Sequence, residues 1–274
     1  MKRFIKNKMA VVSLFFLTLL SLAAICAPLL TKYSYEEQNI EERLQSPSLK
    51  HPMGTDSLGR DQWSRILYGA RVSLLVGIIT AFASLLVGIA VGSIAGYYGG
   101  FIDGFLMRIV DLFYIFPSML TAILVMVVLG QGFHSILLAL VLVGWVNLAR
   151  LVRGQVLQAK LNTYVEAARS LGVKDFGILF RHILPNLLGP IFVATTYQIP
   201  TNIMAESFLS FLGLGLQPPL SSWGTLANEG WRAMQSYPYL ILAPGAFLFF
   251  SLMAFQLLGD GLRDLFDPFS QVRD

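Results

Sequence analysis

The sequence predicts an all-α integral membrane protein with six transmembrane helices. Of its 274 residues, 55% are hydrophobic and only 13% are charged, whereas a soluble domain of this length carries far more polar surface. Apolar windows long enough to cross a bilayer recur along the whole chain. In lipid, every backbone polar group must be paired within a helix or a closed barrel. The predicted spans lie near residues 9–31, 72–96, 106–130, 134–157, 187–211 and 239–262.

The first apolar run extends from about Met9 to Leu30 and follows a basic start. It is longer than the ~7–15 apolar residues of a secretory signal peptide, so we expect it to remain as the first transmembrane helix. Basic residues favour the cytoplasmic side, which places the N-terminus and the loop near 150–185 there. Six spans then put both termini in the cytoplasm. The outer loop near 32–71, with its six basic residues, runs against this trend.

The second span is rich in small residues. Gly88, Gly92 and Gly96 recur at every fourth position, a spacing that allows two helix backbones to approach closely. We therefore expect this helix to lie inside the bundle rather than to face lipid.

Polar residues and prolines mark the later spans. Glu206, in the fifth span, either lines the solute pathway or forms a structural hydrogen bond. Asn147, in the fourth span, is either a pathway residue or a hydrogen-bonding contact between helices. Asp111 is expected to pair with Arg108, three residues earlier. The residues expected to break helices or to mark their starts are Pro117, Pro185, Pro190 and Pro200.

The loop between the fourth and fifth spans predicts a short amphipathic helix on the cytoplasmic face. Thr163 and Glu166 have the spacing of a capping box, and Gly172 is a natural helix stop. The small residues of its apolar face suit docking into a protein groove; the alternative is a helix that rests on lipid headgroups. This face comprises Tyr164, Ala167, Ala168 and Leu171, and a second apolar stripe follows at Phe176, Leu179, Phe180 and Ile183.

The same loop resembles the EAA loop of ABC importer permeases. The run Glu166-Ala167-Ala168 is followed by Gly172 and later by Leu184-Pro185, although His182 stands where the general pattern has isoleucine. In that family the loop is a coupling helix that sits in a cleft of the cytoplasmic ATPase subunit. The resemblance implies a coupling loop at 160–185, with ATPase-coupling residues Glu166, Ala167, Ala168, Gly172, Leu184 and Pro185.

Three further stretches resemble the C-type subunits of dipeptide, oligopeptide and nickel importers. Together they imply a type I ABC importer-like (MetI-like) permease fold. They also imply an N-terminal transmembrane helix with its outer loop at 1–71, followed by a five-helix permease core at 72–274. The stretches contain Gly54-Thr55-Asp56 with Gly59-Arg60-Asp61, then Ser210-Phe211-Leu212 with Trp223-Gly224, and finally Gly259-Asp260-Gly261 with Asp267-Pro268.

Charges of both signs alternate in the outer segment before the second span. Asp56, Arg60, Asp61 and Arg65 have two interpretations. They form either a solvated ion-pair cluster, which contributes little to stability, or a rigid outer cap that meets a solute-binding protein.

The resemblance implies a transport subunit rather than an enzyme. The chain has no G-x-x-x-x-G-K-[ST] phosphate loop and its three histidines lack metal-ligand spacing, so ATP and Mg²⁺ are expected only in partner subunits. The expected partners are a related second permease subunit in a heterodimer, two cytoplasmic ATPases, an extracytoplasmic solute-binding protein and membrane lipid, without nucleic acid.

The expected location is the bacterial inner membrane, and the expected solute is a di- or oligopeptide. Nickel or a metal–chelator complex is the alternative solute. The rival class is a gradient-driven transporter that uses Glu206 and Asp111 as proton sites.

Overall fold

The computed structural model describes Phe4 and residues 7–266, and all regular secondary structure in this part of the chain is helical. Lys2, Arg3 and Lys6, which contribute to the predicted orientation, and Asp267-Pro268 lie outside the described residues. The helices are α1 Lys8–Ile25, α2 Gln62–Tyr98, α3 Gly100–Ile115, α4 Ser118–Leu129, α5 Phe133–Ala159, α6 Thr163–Ser170, α7 Leu184–Phe211, α8 Trp223–Arg232 and α9 Tyr239–Phe266. Short helical turns lie at Ala27–Leu30, Ile40–Glu42 and Asp175–Gly177, and a π-helical turn at Ile178–Ile183 leads directly into α7.

Five of the described helices are long and apolar enough to cross a membrane: α1, α2, α5, α7 with the turns before it, and α9. The third predicted span is instead a pair of helices, α3 and α4, bent by 86°. The break falls at Phe116, which is extended, and at Pro117, which caps α4. A residue before proline is disfavoured in the helical conformation, so hydropathy located this span but missed its bend. Counted as one span, the pair brings the total to six.

Helix α2 begins at Gln62, ten residues before the predicted start. Its N-cap is Asp61, whose carboxylate accepts a hydrogen bond from the Ser64 N–H at 2.8 Å. The first turns are polar, and hydropathy missed them because they are buried by protein rather than by lipid. The boundary between residues 71 and 72 therefore lies inside a continuous helix.

The prolines behave in two different ways. Pro117 and Pro185 lie where α4 and α7 begin, as predicted. Pro190 and Pro200 lie inside α7 and do not break it, so that part of the prediction is wrong. Each proline removes one backbone hydrogen bond from a long helix, and packing against neighbouring helices allows the rest to continue.

Helix α2 packs closely against α5 along its small residues. A Cβ atom at Gly92 would lie 2.3 Å from the carbonyl oxygen of Ala149, and one at Gly96 would lie 2.8 Å from that of Arg153. Only glycine permits such contacts between helix backbones. The prediction that this span lies inside the bundle is confirmed for its glycine face, whereas the opposite face exposes Leu75, Phe82 and Leu86.

Two buried apolar clusters hold the ends of the bundle. The first joins α2, α5, α6 and the start of α7 around Val156, Val165 and Ile178. The second joins α1, α2, α7, α8 and α9 around Trp223. Trp223 is completely buried, and its indole N–H donates to the Ile66 carbonyl at 3.3 Å. The coupling loop rests on the first cluster, and the polar outer segment adjoins the second.

Candidate functional site

The short helix α6 is fixed to the body of the protein at its inner face and at its end. Val165 and Ala168 are buried in the first apolar cluster. At the C-terminus, Gly172 has a φ of +78°, its N–H donates to the Arg169 carbonyl at 3.0 Å, and the Val173 N–H donates to the Ala168 carbonyl at 3.1 Å. These bonds define a Schellman motif, which confirms Gly172 as the helix stop.

Two details of the predicted helix are wrong. The N-cap is Asn162 rather than Thr163, and no side-chain capping bond occurs there, so the capping box does not form. The buried face is also displaced, since Val165 is buried while Leu171 is 85% exposed. A helix of two turns is oriented by whichever side chains fit the core beneath it, and here the branched Val165 takes that position.

The outward side of the loop presents an apolar surface. Leu171, Phe176 and Phe180 are exposed, and the two phenylalanine rings lie 4.4 Å apart. We call these residues, together with exposed Ala167, the coupling surface. The predicted second stripe therefore divides, because Leu179 and Ile183 are buried while the two phenylalanines are not. Of the other predicted coupling residues, Glu166 and Pro185 are exposed and Leu184 is buried.

The coupling loop is also bonded to the end of α2. The Tyr97 hydroxyl donates to the Asp175 carboxylate at 2.6 Å, and the Lys160 ammonium donates to the Tyr97 carbonyl. These bonds join residues on either side of α6 to a single helix terminus. The loop is therefore attached to the end of α2 on both sides of α6.

The predicted outer charges are buried. Asp56, Arg60, Asp61 and Arg65 are each at most 6% exposed, so the solvated alternative is wrong. Asp56 accepts from Arg60 Nε at 2.7 Å and from Arg65 Nη1 at 2.6 Å. Glu229 on α8 completes the group by accepting from Arg65 Nη2 at 2.9 Å and from Arg60 Nη2 at 3.2 Å. We call Asp56, Arg60, Arg65 and Glu229 the outer charge cluster.

Sequence reasoning missed Glu229, which lies 164 residues from Arg65. One signal could have indicated it. Asp61 is committed to capping α2, so Asp56 is left with two buried guanidinium groups, which indicates a second carboxylate nearby.

Asp61, the one of the four predicted outer charges that is not in the outer charge cluster, links the start of α2 to the preceding loop. His51 is buried with Nδ1 2.8 Å from Asp61 Oδ1 and Nε2 3.0 Å from Glu42 Oε2. Glu42 also accepts a hydrogen bond from Lys50. The Lys50 hydrogen bond, followed by that of His51, lowers the pKa of Glu42 below its ordinary value of 4.5. These contacts tie residues 42–51 to the start of α2.

Glu206 is completely enclosed by α7 and its neighbours. Its carboxylate accepts hydrogen bonds from the hydroxyls of Ser210 at 2.7 Å, Ser73 at 3.3 Å and Ser207 at 3.4 Å. The sequence left Glu206 as either a pathway residue or a structural hydrogen-bonding group. Its enclosed geometry is that of a structural hydrogen-bonding group.

Asp111 pairs across helices rather than along its own helix. Its carboxylate accepts from Arg150 of α5 at 2.5 Å, and the Arg150 guanidinium lies 3.9 Å from the centre of the Tyr114 ring. The expected partner, Arg108, is exposed. The prediction is wrong because α3 packs beside α5, which supplies a nearer cation.

A central cavity of about 600 Å³ lies between α4, α5, α7 and α9. Asn147 lines it, as do Gln198, Asn202 and Gln256, whereas Glu206 does not. The cavity and the coupling loop belong to one continuous bundle, in which α5 contributes to both.

Comparison with known families identifies the chain. Residues 88–271 match the family described as "binding-protein-dependent transport system inner membrane component". The chain belongs to this permease family. Residues 1–47 of the permease also match the "N-terminal TM domain of oligopeptide transport permease C".

Relatives resemble the permease over almost its whole length. The oligopeptide transport system permease protein OppC of Bacillus subtilis is 46% identical, with 98% of this chain and 88% of the relative covered. The dipeptide transport system permease protein DppC of the same organism is 45% identical, with 97% and 84% covered. The glutathione transport system permease protein GsiD of Pectobacterium atrosepticum is 42% identical, with 97% and 89% covered.

A solved structure shares the fold. The inward-facing MetNI methionine ABC transporter matches with a TM-score of 0.58 at 17% identity, covering 74% of this chain and 96% of that chain. The permease therefore has the MetI-like fold of type I ABC importers. It is a multi-span subunit of the bacterial inner membrane and is not itself the catalytic subunit of its transporter.

Proposed function

We propose that this permease is the C-type subunit of an ATP-driven peptide importer and forms half of its translocation pathway. The relatives named for oligopeptide, dipeptide and glutathione transport support peptides as the solute class. The observation that carries the mechanism is the coupling surface, which is apolar, exposed and rigidly backed by the first apolar cluster.

In this proposal the coupling surface docks on a cytoplasmic ATPase. Leu171 and Phe176 expose apolar area that water disfavours, and a protein cleft would bury it. Buried Val165 and the Tyr97–Asp175 bond hold the loop to α5 and α2, so movement of the ATPase displaces the helices rather than the loop alone.

The complete transporter contains a related second permease subunit as a heterodimer, two ATPases that bind ATP and Mg²⁺, and an extracytoplasmic solute-binding protein. Both termini lie in the cytoplasm. ATP binding then biases two discrete packings of the helices, which open the pathway to alternate sides.

The polar residues of the spans support an ATP-driven rather than a gradient-driven mechanism. A proton-coupled carrier needs an ionisable group that alternately meets both aqueous sides. Glu206 is enclosed by three hydroxyls, and Asp111 is paired with Arg150. Neither residue lines the central cavity.

The test is a charge placed on the coupling surface. Gly172→Asp adds a carboxylate to the loop that must be desolvated when the ATPase docks, which is costly for an unpaired charge. The matched control is Gly213→Asp, because Gly213 also follows a helix in a Schellman motif, has a φ of +79°, and has open space around its Cβ position. Both variants therefore carry the same backbone strain.

The measurements are co-purification of the ATPase subunits with the permease pair and ATP-driven uptake of trialanine in proteoliposomes. Gly172→Asp should reduce both at least tenfold, whereas Gly213→Asp should retain ATPase binding. Normal ATPase binding and uptake by Gly172→Asp would contradict the coupling role. Uptake that persists without any ATPase would support a gradient-driven carrier instead.

A further inference from the structure

Amide side chains from three helices line the central cavity. Asn147, Gln198 and Gln256 lie near the middle of α5, α7 and α9, respectively, and all three line the cavity. We call these three residues the amide belt. A volume of about 600 Å³ is in the range that holds a small organic ligand such as a short peptide.

Two members of the amide belt are exposed in the isolated chain. Asn147 and Gln256 line the cavity from near the centres of apolar helices. An amide that faces hydrocarbon without a hydrogen-bond partner costs several kcal/mol, on the order of 4–8 in a fully apolar medium. Lipid is therefore a poor occupant of this cavity, whereas water or a polar solute satisfies it.

The third member is held in place by a chain of hydrogen bonds. Gln198 Nε2 donates to Asn202 Oδ1 at 2.9 Å, and Asn202 Nδ2 donates to Thr80 Oγ1 at 2.7 Å. The Thr80 hydroxyl in turn donates to the Val76 carbonyl at 2.6 Å. These hydrogen bonds use the amide nitrogen of Gln198. The side-chain carbonyl oxygen of Gln198 remains able to accept a hydrogen bond from a solute.

The cavity lining is uncharged. Among the described residues that line it, none is ionisable, and the rest of the surface is hydroxyl, thioether or hydrocarbon. Methionines contribute from three helices, as Met119, Met204 and Met253. Methionine side chains are flexible and polarisable, so they adapt to solute groups of different shapes.

We infer that the amide belt hydrogen-bonds the main chain of the transported peptide, and that this subunit does not select among peptides by side-chain charge. A primary amide presents both donors and an acceptor, which match the C=O and N–H of a peptide bond. The feature common to all peptides is thereby recognised, while their differing side chains meet an uncharged, adaptable wall. This inference rests on the proposed function.

The test introduces a charge into the belt of the complete transporter. Proteoliposomes with the second permease, the ATPases and the binding protein take up trialanine, trilysine or triglutamate. Gln256→Glu should raise the uptake ratio of trilysine to triglutamate at least fivefold, and Gln256→Lys should lower it by a similar factor. The control is Gln158→Glu, an exposed glutamine on α5 that does not line the cavity, which should leave the ratio unchanged.

Apolar variants test the main-chain contact. Asn147→Leu and Gln256→Met each remove one neutral hydrogen bond, so each should reduce uptake of all three peptides by a similar factor of about three to ten. Labelling of Asn147→Cys and Gln256→Cys in a Cys26→Ser background, with a membrane-impermeant maleimide, should show both positions reached by water.

The outcomes separate the inference from the proposed function. Unlabelled cysteines, or charge variants that leave the peptide ratio unchanged, would overturn the inference while wild-type peptide uptake still supports a peptide importer. A wild-type transporter that takes up none of the three peptides would overturn the proposed function itself.

Discussion

Replacing Asp56 with asparagine tests whether the outer charge cluster holds the outer end of the bundle together. Asp56 accepts hydrogen bonds from Arg60 and Arg65 and from the backbone N–H groups of Leu58 and Arg60 at 2.8 and 2.9 Å. The two arginines and two carboxylates are neutral as a group. Asp56→Asn leaves one buried positive charge without compensation, which costs about 3–5 kcal/mol.

Glu229→Gln is the matched comparison, because it removes the same charge from the same cluster at a more exposed position. The Glu229 side chain is 37% exposed, so water reaches the position of its carboxylate and screens the neighbouring arginines in part, and the expected cost is only about 1 kcal/mol. The two variants differ in burial and in the two backbone hydrogen bonds that Asp56 alone accepts.

Hydrogen exchange of the backbone amides in residues 56–65 measures this difference in nanodiscs. A cost of about 3–5 kcal/mol corresponds to exchange more than ~100-fold faster in Asp56→Asn, against less than ~10-fold in Glu229→Gln. Equal exchange in the two variants would refute the reasoning, since it would mean that the buried position of Asp56 has no energetic consequence.

Two further predictions concern packing and pH. Gly92→Ala would bring a methyl group against the backbone of α5 and should reduce the yield of folded permease in detergent. The control is Gly104→Ala, which has open space around its Cβ position and should leave the yield unchanged. Equal yields from the two variants would argue against the close contact. Hydrogen bonds from Lys50, and to a smaller extent from His51, lower the pKa of Glu42 in the folded state. The ionised Glu42 carboxylate therefore stabilises the outer loop fully above pH 4.5, and this stabilisation is lost as the pH falls through the lower folded-state pKa. Limited proteolysis of residues 40–56 should therefore increase in acid, and a Glu42→Gln variant that retains the same acid dependence would exclude this group as the cause.

Features that depend on local sequence could be predicted well. The apolar runs locate the spans, because length and hydropathy act through neighbouring residues alone. The spacing of Gly88, Gly92 and Gly96 predicts close packing of α2 because only a hydrogen atom fits at such contacts. The end of α6 at Gly172 could be predicted for a similar reason, since a left-handed residue at that position favours glycine.

Features that depend on tertiary contacts could not be predicted. Asp111 has a cation three residues away, yet it pairs with Arg150, 39 residues distant, because α3 lies against α5. The enclosure of Glu206 by three hydroxyls likewise depends on how α2 and α7 meet. Hydropathy also placed the start of α2 too late, since polar residues buried by protein score in the same way as residues in water.

The continuity of α2 has a mechanical consequence. Its 37 residues extend for about 55 Å at 1.5 Å per residue, from Asp61 beside the outer charge cluster to Tyr97 beside the coupling loop. A continuous hydrogen-bonded helix resists compression, so its two termini do not shift along the axis independently. A protein that moved one terminus along the helix axis would therefore move the other terminus as well, without any intermediate change of fold.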